Sequence, residues 1–206
     1  MIEEAPRRLS TDPTEVPRLS VVVVCRGETP VETLFNSLPS ADGLAAEGVE
    51  WLAVGRSDQL GQLPKHWVAV EIEHPLVASS ARRIGLDRAR GEFVAFLEST
   101  SELSNTWLSE MRRCASQERG ESRLWAATGP VVAASGLDRA TWSVFFCEYV
   151  VFSGTEFPAG RLAGNNLLIG PAARVMLAAE TQVEEWWLAA RIAHEGGRLE
   201  VLPDAV

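Results

Sequence analysis

The segment Glu98-Ser99-Thr100 follows an apolar run over 93–97 that is typical of a buried strand. Open α/β sheets bind their ligands at the carboxyl ends of such strands. Glu98 and Thr100 therefore offer oxygen ligands to magnesium or manganese, and a cation held there would join the protein to a diphosphate. The alternative is a turn in which Glu98 only caps the next helix, and the spacing alone favours that simpler interpretation.

Glu184 and Glu185 open a segment with helical spacing, "EEWWLAARIAHEGG". Acidic residues in a first turn complement the helix dipole, which is a sufficient structural reason for both of them. The functional interpretation makes one of them a general base, which must then lie within hydrogen-bond reach of a substrate proton. The spacing alone favours the dipole explanation.

A third candidate is the polar loop Gly164, Asn165 and Asn166 in "AGNNLLIG". A glycine followed by two amides can approach a sugar or phosphate closely and donate hydrogen bonds to it. The same residues also suit an ordinary turn. No two of the three histidines stand at metal-ligand spacing, and the sequence contains no GxSxG, Walker or GxGxxG motif.

Composition restricts the partners and the compartment. The 206 residues carry a net charge of −9, which argues against a nucleic-acid backbone or an anionic membrane surface as a partner. Three cysteines lie far apart without a CxxC pair, which fits a reducing compartment and predicts a cytoplasmic protein. Residues 1–18 are charged and contain proline, so they are predicted to be a flexible arm rather than a secretory signal.

The most apolar stretch is "WSVFFCEYVVF" over 142–152, with Glu148 in its middle. It is too short to span a bilayer, so no transmembrane segment is expected. We predict that this stretch is buried in the core, with a peripheral membrane contact as the alternative.

These candidates need a scaffold, and the remaining patterns predict one. Apolar runs indicate strands, and helical spacing between them indicates helices. Strands are predicted over 19–25, 49–55, 66–73, 92–97 and 198–203, with one or two more over 123–134 and a loop followed by a short strand within 161–171. Helices are predicted over 30–38, 78–91, 106–118, 140–154 and 183–197. This alternation predicts a doubly wound α/β fold with a mostly parallel sheet.

The order of these segments resembles the family 2 glycosyltransferases of the GT-A fold. The resemblance rests on "SVVVVCRGETPVETLFNSL", "SSARRIGLDRARGEFVAFLEST", "AGNNLLIGPAARV" and "VEEWWLAARIAHEGGRLEVLPDAV", and it covers residues 19–206. It implies one GT-A domain, with a mostly parallel sheet flanked by helices. Residues 19–134 would form the nucleotide-binding half and residues 135–206 the acceptor-side half.

The resemblance implies transfer of a sugar from a nucleotide-diphosphate donor to an acceptor hydroxyl. Glu98 and Thr100 fall on the two aspartates of the family's metal-binding turn, and Glu185, preceded by Glu184, falls on the catalytic base. The resemblance also implies residues that bind the nucleotide sugar. They are Cys25, Arg26 and Gly27 at the end of the first strand, Asp58 after the second strand, and Arg82, which would face a phosphate. Asn165 and Asn166 fall on the loop that contacts the acceptor.

The chain departs from the family pattern at several of these positions. Thr100 is neutral where the family has a second carboxylate, and a single glutamate binds a hard dication less tightly. Arg83 replaces an asparagine, and Asp58 matches the base-recognising aspartate only after a shift. Glu185 keeps the charge of the base on a longer arm.

These departures leave two hypotheses open. In the first, the protein is a transferase that is weakened or independent of metal, with Arg26, Arg56 or Arg82 replacing the charge of the cation. In the second, it is an inactive binding or scaffold domain that works beside an active partner transferase. A nucleotidyltransferase is disfavoured because no glycine-rich basic loop follows the first strand. The donor and the acceptor are not specified by the sequence.

Overall fold

A central β-sheet organises the protein in the computed structural model, which describes residues 17–25, 31, 34, 37, 48–61, 63–74, 76–117, 123–134, 138–154 and 160–206. Within these residues seven strands form one sheet in the order β3-β2-β1-β4-β6-β5-β7. They are β1 (Leu19–Val24), β2 (Val49–Gly55), β3 (Trp67–Glu71), β4 (Phe93–Glu98), β5 (Trp125–Thr128), β6 (Asn166–Ile169) and β7 (Arg198–Val201).

The sheet is mostly parallel, as predicted. The pairs β1–β2, β1–β4, β2–β3 and β5–β7 are parallel, whereas β6 runs against both of its neighbours, β4 and β5. Every residue of β1 and β4 is buried, as expected for strands covered on both faces. The carboxyl ends of β1, β2 and β4 therefore meet at one edge, which we call the carboxyl edge.

Helices cover both faces of this sheet. Six helices have their bounds within the described residues: α1 (Ser57–Leu60), α2 (Ala78–Arg88), α3 (Trp107–Ser116), α4 (Arg139–Glu148), α5 (Pro171–Leu177) and α6 (Glu185–His194). Val21 and Val23 pack with α3 on one face, and Val22 and Val24 pack with α2, α5 and α6 on the other. This alternation follows from the two-residue period of a strand, and the predicted α/β fold is confirmed.

The predicted elements differ from the structure mainly at their ends. The segment over 123–134 forms only the short strand β5, which stops at the Gly129-Pro130 pair. The helix α5 was not predicted, although Pro171 stands at its start, where proline is favoured. The helix predicted over 30–38 lies mostly outside the described residues, as does the arm over 1–16. The predicted single domain and its division at residue 134 stay predictions.

The prediction that residues 142–152 are buried is wrong. Helix α4 contains no buried residue, and the side chains of Trp142 and Phe146 are 39% and 58% exposed. Of the apolar stretch, only Phe152, in the 3₁₀ turn Val150–Phe152, is buried. The faces of the sheet are already covered by other helices. None of the described helices has the length and apolarity that crossing a membrane requires.

Helix α4 begins at a side-chain cap, and three of its rings contact one another. Asp138 accepts a hydrogen bond from the Thr141 backbone N–H at 2.8 Å, and this bond lowers the pKa of the Asp138 carboxyl. The rings of Trp142, Phe145 and Phe146 contact one another, with centroids 5.5 to 6.1 Å apart. The most apolar stretch of the sequence thus forms an exposed aromatic cluster.

Replacement of Phe146 by glutamine should therefore change the free energy of unfolding by less than about 0.5 kcal/mol, as is usual for an exposed position. The matched control is Ile169→Val in β6, where loss of one buried methylene should cost about 1 kcal/mol. Urea unfolding of both variants measures the difference. A larger loss at Phe146 than at Ile169 would show that α4 is packed against the core.

Candidate functional site

The guanidinium of Arg82 lies at the centre of a charged cluster at the carboxyl edge. Helix α2 directs Arg82 towards the protein interior, and its side chain is only 5% exposed. Its Nη1 donates hydrogen bonds to Glu185 Oε2 at 2.8 Å and to the Val183 carbonyl at 3.3 Å. The Val183 N–H in turn donates to the Ser79 carbonyl at 3.0 Å, which fixes the start of α6 beside α2.

Glu98 is the third member of the cluster and contacts the other terminal nitrogen of Arg82, Nη2. It is the last residue of β4, and its Oε1 lies 3.6 Å from Arg82 Nη2. The Glu98 side chain is 10% exposed, whereas that of Glu185 is 33% exposed. The fold therefore joins three of the predicted site residues, Arg82, Glu98 and Glu185, although Arg82 and Glu185 stand 103 positions apart in the chain. We call these three residues the Arg82 cluster.

The charge of the Arg82 cluster is one positive guanidinium against two carboxylates. Buried charges are costly unless they are paired, so the pairing explains how Arg82 can be buried at all. A sequence signal for this pairing exists: Arg82 stands four positions before the buried Leu86 on the inner face of α2. A charged residue on a buried helix face predicts a partner, although it does not say which one.

Gly164 packs directly against the Arg82 guanidinium. A Cβ atom added at Gly164 would lie 2.4 Å from Arg82 Nη2 and 2.8 Å from Cζ, which is closer than Cβ atoms approach other heavy atoms. A side chain at position 164 would therefore force the guanidinium to shift, and the sequence pattern identified Gly164 only as a flexible loop residue. The next residue, Asn165, has a buried Oδ1 without a hydrogen-bond partner among the described residues.

Asn166 faces the interior rather than a cleft. Its Nδ2 donates to the Pro130 carbonyl at 3.1 Å and to the Ala205 carbonyl at 2.7 Å, and its Oδ1 accepts from Trp107 Nε1 at 2.9 Å. Both amide hydrogens are thus used within the chain, and the residue is 5% exposed. This geometry favours a structural role for Asn166 and leaves Asn165 as the acceptor-side candidate.

The nucleotide-side candidates lie at the ends of β1 and β2. Cys25 follows β1, is buried, and donates its backbone N–H to the Val54 carbonyl at 2.8 Å. Asp58 lies in the exposed helix α1, where its Oδ1 accepts from Arg56 Nε at 2.9 Å. Arg26 and Gly27 lie outside the described residues. Cys25 and Asp58 are therefore at the same edge of the sheet as the Arg82 cluster.

Thr100 and Glu184 are the two remaining candidates. Thr100 is exposed in the turn beyond β4, where the Ser101 N–H donates to the Glu98 carbonyl at 3.0 Å. Glu184 precedes α6, and its carbonyl accepts the first hydrogen bond of that helix from Leu188 at 2.9 Å. Within the described part of the chain, no three His, Cys, Asp or Glu side chains are grouped as metal ligands would be.

Comparisons with known proteins identify the fold. No family model matches the chain, and no curated protein matches it. Solved structures do match it. The mannosyltransferase PcManGT of Pyrobaculum calidifontis, in complex with GDP-Man and Mn²⁺, has a TM-score of 0.60 at 18% identity over 95% of this chain and 57% of its own.

TarS 1–349 of S. aureus matches with a TM-score of 0.59 at 16% identity, over 91% of this chain and 58% of its own. TarS 1–349 in complex with UDP-GlcNAc matches with a TM-score of 0.57 at 14% identity. The protein thus has the GT-A glycosyltransferase fold, as the sequence resemblance predicted. It spans slightly less than three fifths of the length of these structures.

Proposed function

We propose that the protein binds a nucleotide-diphosphate sugar and transfers its sugar to an acceptor hydroxyl. The observation that carries this proposal is the Arg82 cluster, in which one buried guanidinium joins Glu98 to Glu185 at the carboxyl edge. Ligands of open α/β sheets bind at this edge. The proposal is supported by the ligands of the similar structures, which include GDP-Man, UDP and UDP-GlcNAc.

Glu185 is the proposed general base. Arg82 orients its Oε2, while a third of the side chain remains exposed and can be reached by an acceptor. The acceptor oxygen would attack the anomeric carbon as its proton passes to Glu185. The bond from that carbon to the diphosphate oxygen would break on the opposite face, and the nucleoside diphosphate would leave with the electron pair. A single displacement of this kind inverts the anomeric centre.

The other candidates divide between donor and acceptor. Cys25, Arg26, Gly27 and Asp58 are proposed to border the nucleotide, because they follow β1 and β2 at the same edge as Glu98. Asn165 is proposed to contact the acceptor, because the residue is partly exposed and directly follows Gly164, which packs against Arg82. The three cysteines are free thiols, which supports the proposal of a reducing, cytoplasmic setting.

An inactive binding or scaffold domain is the second candidate function. It is favoured by the hydrogen bond from Arg82 to Glu185, because this bond already occupies one of the carboxylate oxygens that a general base would offer to an acceptor. It is also favoured by the neutral Thr100 in the turn after β4. In this case the domain would bind a nucleotide sugar, or a partner transferase, without turnover.

Calorimetric titration with UDP-, GDP- and dTDP-sugars, with and without manganese, tests the proposed function. We expect at least one donor to bind, and the matching nucleoside monophosphate to bind more weakly because it lacks the second phosphate and the sugar. Release of nucleoside diphosphate on addition of candidate acceptors then separates the transferase from the binding domain. Absence of binding by every donor would refute both the transferase and a domain that binds a nucleotide sugar.

A further inference from the structure

We infer that this protein binds its nucleotide ligand without a divalent cation, because Arg82 already provides the positive charge beside Glu98 and Glu185. The inference rests on the proposed function and specifies how that site works. The fold itself raises the question, since one similar structure contains Mn²⁺ together with GDP-Man.

The side chains at the carboxyl edge do not fit a hard dication. Magnesium and manganese bind several oxygen ligands, usually including one or two carboxylates. Glu98 is the last residue of β4, and the residue two positions later, in the turn, is the neutral and exposed Thr100. Glu185, the other carboxylate of the Arg82 cluster, is hydrogen-bonded to Arg82 at 2.8 Å. Both carboxylates of the cluster are thus paired with one guanidinium.

Arg82 is also fixed in this position. Its Nη1 is held by Glu185 and by the Val183 carbonyl, its side chain is 5% exposed, and Gly164 lies against the guanidinium. A dication approaching Glu98 would meet a permanent positive charge, since Arg82 Nη2 lies 3.6 Å from Glu98 Oε1. The cation would therefore have to displace a buried ion pair before it could bind.

The two ends of the guanidinium are held differently. The contact with Glu185 is a short hydrogen bond, whereas the 3.6 Å contact with Glu98 is an ion pair without hydrogen-bond distance. The Nε of Arg82 makes no hydrogen bond within the described residues. We therefore assign Arg82 as a positioning residue: it holds Glu185 and keeps a fixed positive charge near Glu98 in place of the metal.

The first experiment uses the unmodified protein. Donor affinity, measured by calorimetry, should agree within about threefold between excess EDTA and manganese, which is less than 1 kcal/mol. Electron paramagnetic resonance of free Mn²⁺, titrated with protein alone, should show no uptake. Binding that is more than about tenfold tighter with manganese would overturn the inference and leave the proposed function standing. So would Mn²⁺ uptake that Glu98→Gln abolishes.

If no donor binds under either condition, the proposed function fails together with the statement about nucleotide binding. The Mn²⁺ titration then still decides the part of the inference that concerns the cation, namely that Arg82 keeps it away from Glu98. Uptake of Mn²⁺ that depends on Glu98 would refute the inference that Arg82 replaces the cation beside Glu98. Absence of uptake would support it. The two failures are therefore distinguishable.

Substitution of Arg82 provides the second experiment. Arg82→Gln leaves Glu98 and Glu185 without their cation, so this variant should gain Mn²⁺ uptake and a rise in melting temperature with manganese. Arg82→Lys keeps the charge and should behave as the unmodified protein. The matched control is Arg83→Gln, because Arg83 stands next on α2 but bonds Asp87 at 2.5 Å and the Leu177 carbonyl at 2.7 Å.

Absence of Mn²⁺ uptake by a folded Arg82→Gln protein would refute the role assigned to Arg82. If that variant does not fold, Arg82→Lys decides in its place: manganese dependence of donor binding in Arg82→Lys would overturn the inference, and independence would support it. A merely structural role of Arg82 would change stability without changing the response to manganese.

Discussion

Replacement of Glu185 by glutamine should lower the turnover number by about 10²- to 10⁴-fold, the usual contribution of a positioned general base. Glutamine has nearly the same shape, and its amide oxygen can still accept the hydrogen bond that Arg82 Nη1 donates to Glu185 at 2.8 Å. It cannot take up a proton from the acceptor hydroxyl. The affinity for the donor should therefore stay within about threefold while turnover is lost.

The matched control for this variant is Glu195→Gln. Glu195 follows the same helix α6 and also forms an ion pair with an arginine, Arg191, at 3.1 Å, but it is exposed and lies at the other end of the helix. Its turnover should be unchanged. Equal turnover in Glu185→Gln and the unmodified protein would remove Glu185 from the mechanism. Loss of donor affinity in place of turnover would assign its charge to binding.

The sheet could be predicted from the sequence because burial on both faces leaves a continuous apolar run. Val49–Gly55 is such a run apart from Glu50, and the structure gives β2 these same bounds. Helix α6 could be predicted because its apolar residues recur at helical spacing and a glycine pair follows it. These signals are local, so they can be recognised without knowing which segments pack against each other. The order of the segments then sufficed to predict the GT-A fold.

The pairings between distant segments could not be predicted, because they leave no local pattern. The buried Glu50 in β2 accepts hydrogen bonds from Ser20 Oγ at 2.6 Å and from the Arg90 N–H at 2.8 Å, yet in the sequence it is only one charge within an apolar strand. Arg82 was predicted to face a phosphate, and its contacts with Glu185 and Gly164 emerge only from the fold.

Helix α4 shows that an apolar composition alone does not predict burial. Its apolar composition predicted burial, but composition does not say which surfaces of the sheet are already covered. Whether Trp142 or Phe146 finds a place in the core depends on the positions of α2, α3, α5 and α6. The exposure of this helix is therefore determined by the packing of the whole fold rather than by its own residues.

Replacement of Gly164 by alanine should disrupt the site without changing any of its charged groups. The new Cβ would lie 2.4 Å from Arg82 Nη2, so the guanidinium must move away from the loop. Overpacking and the weakened ion pairs together should cost about 2–4 kcal/mol of unfolding free energy. Because Arg82 orients Glu185, turnover should also fall, by about 10²-fold for a displacement near 1 Å. Urea unfolding and the rate of nucleoside diphosphate release measure the two effects.

Gly196→Ala is the matched control, because it separates backbone strain from contact with Arg82. Gly196 has a φ of +68° and no heavy atom within 4 Å of an added Cβ, so alanine there is strained but touches nothing. It should cost about 1–2 kcal/mol of stability and leave turnover unchanged. If Gly164→Ala loses stability but keeps full turnover, the guanidinium can move without disturbing Glu185. The hydrogen bond from Arg82 would then stabilise the fold without positioning the base.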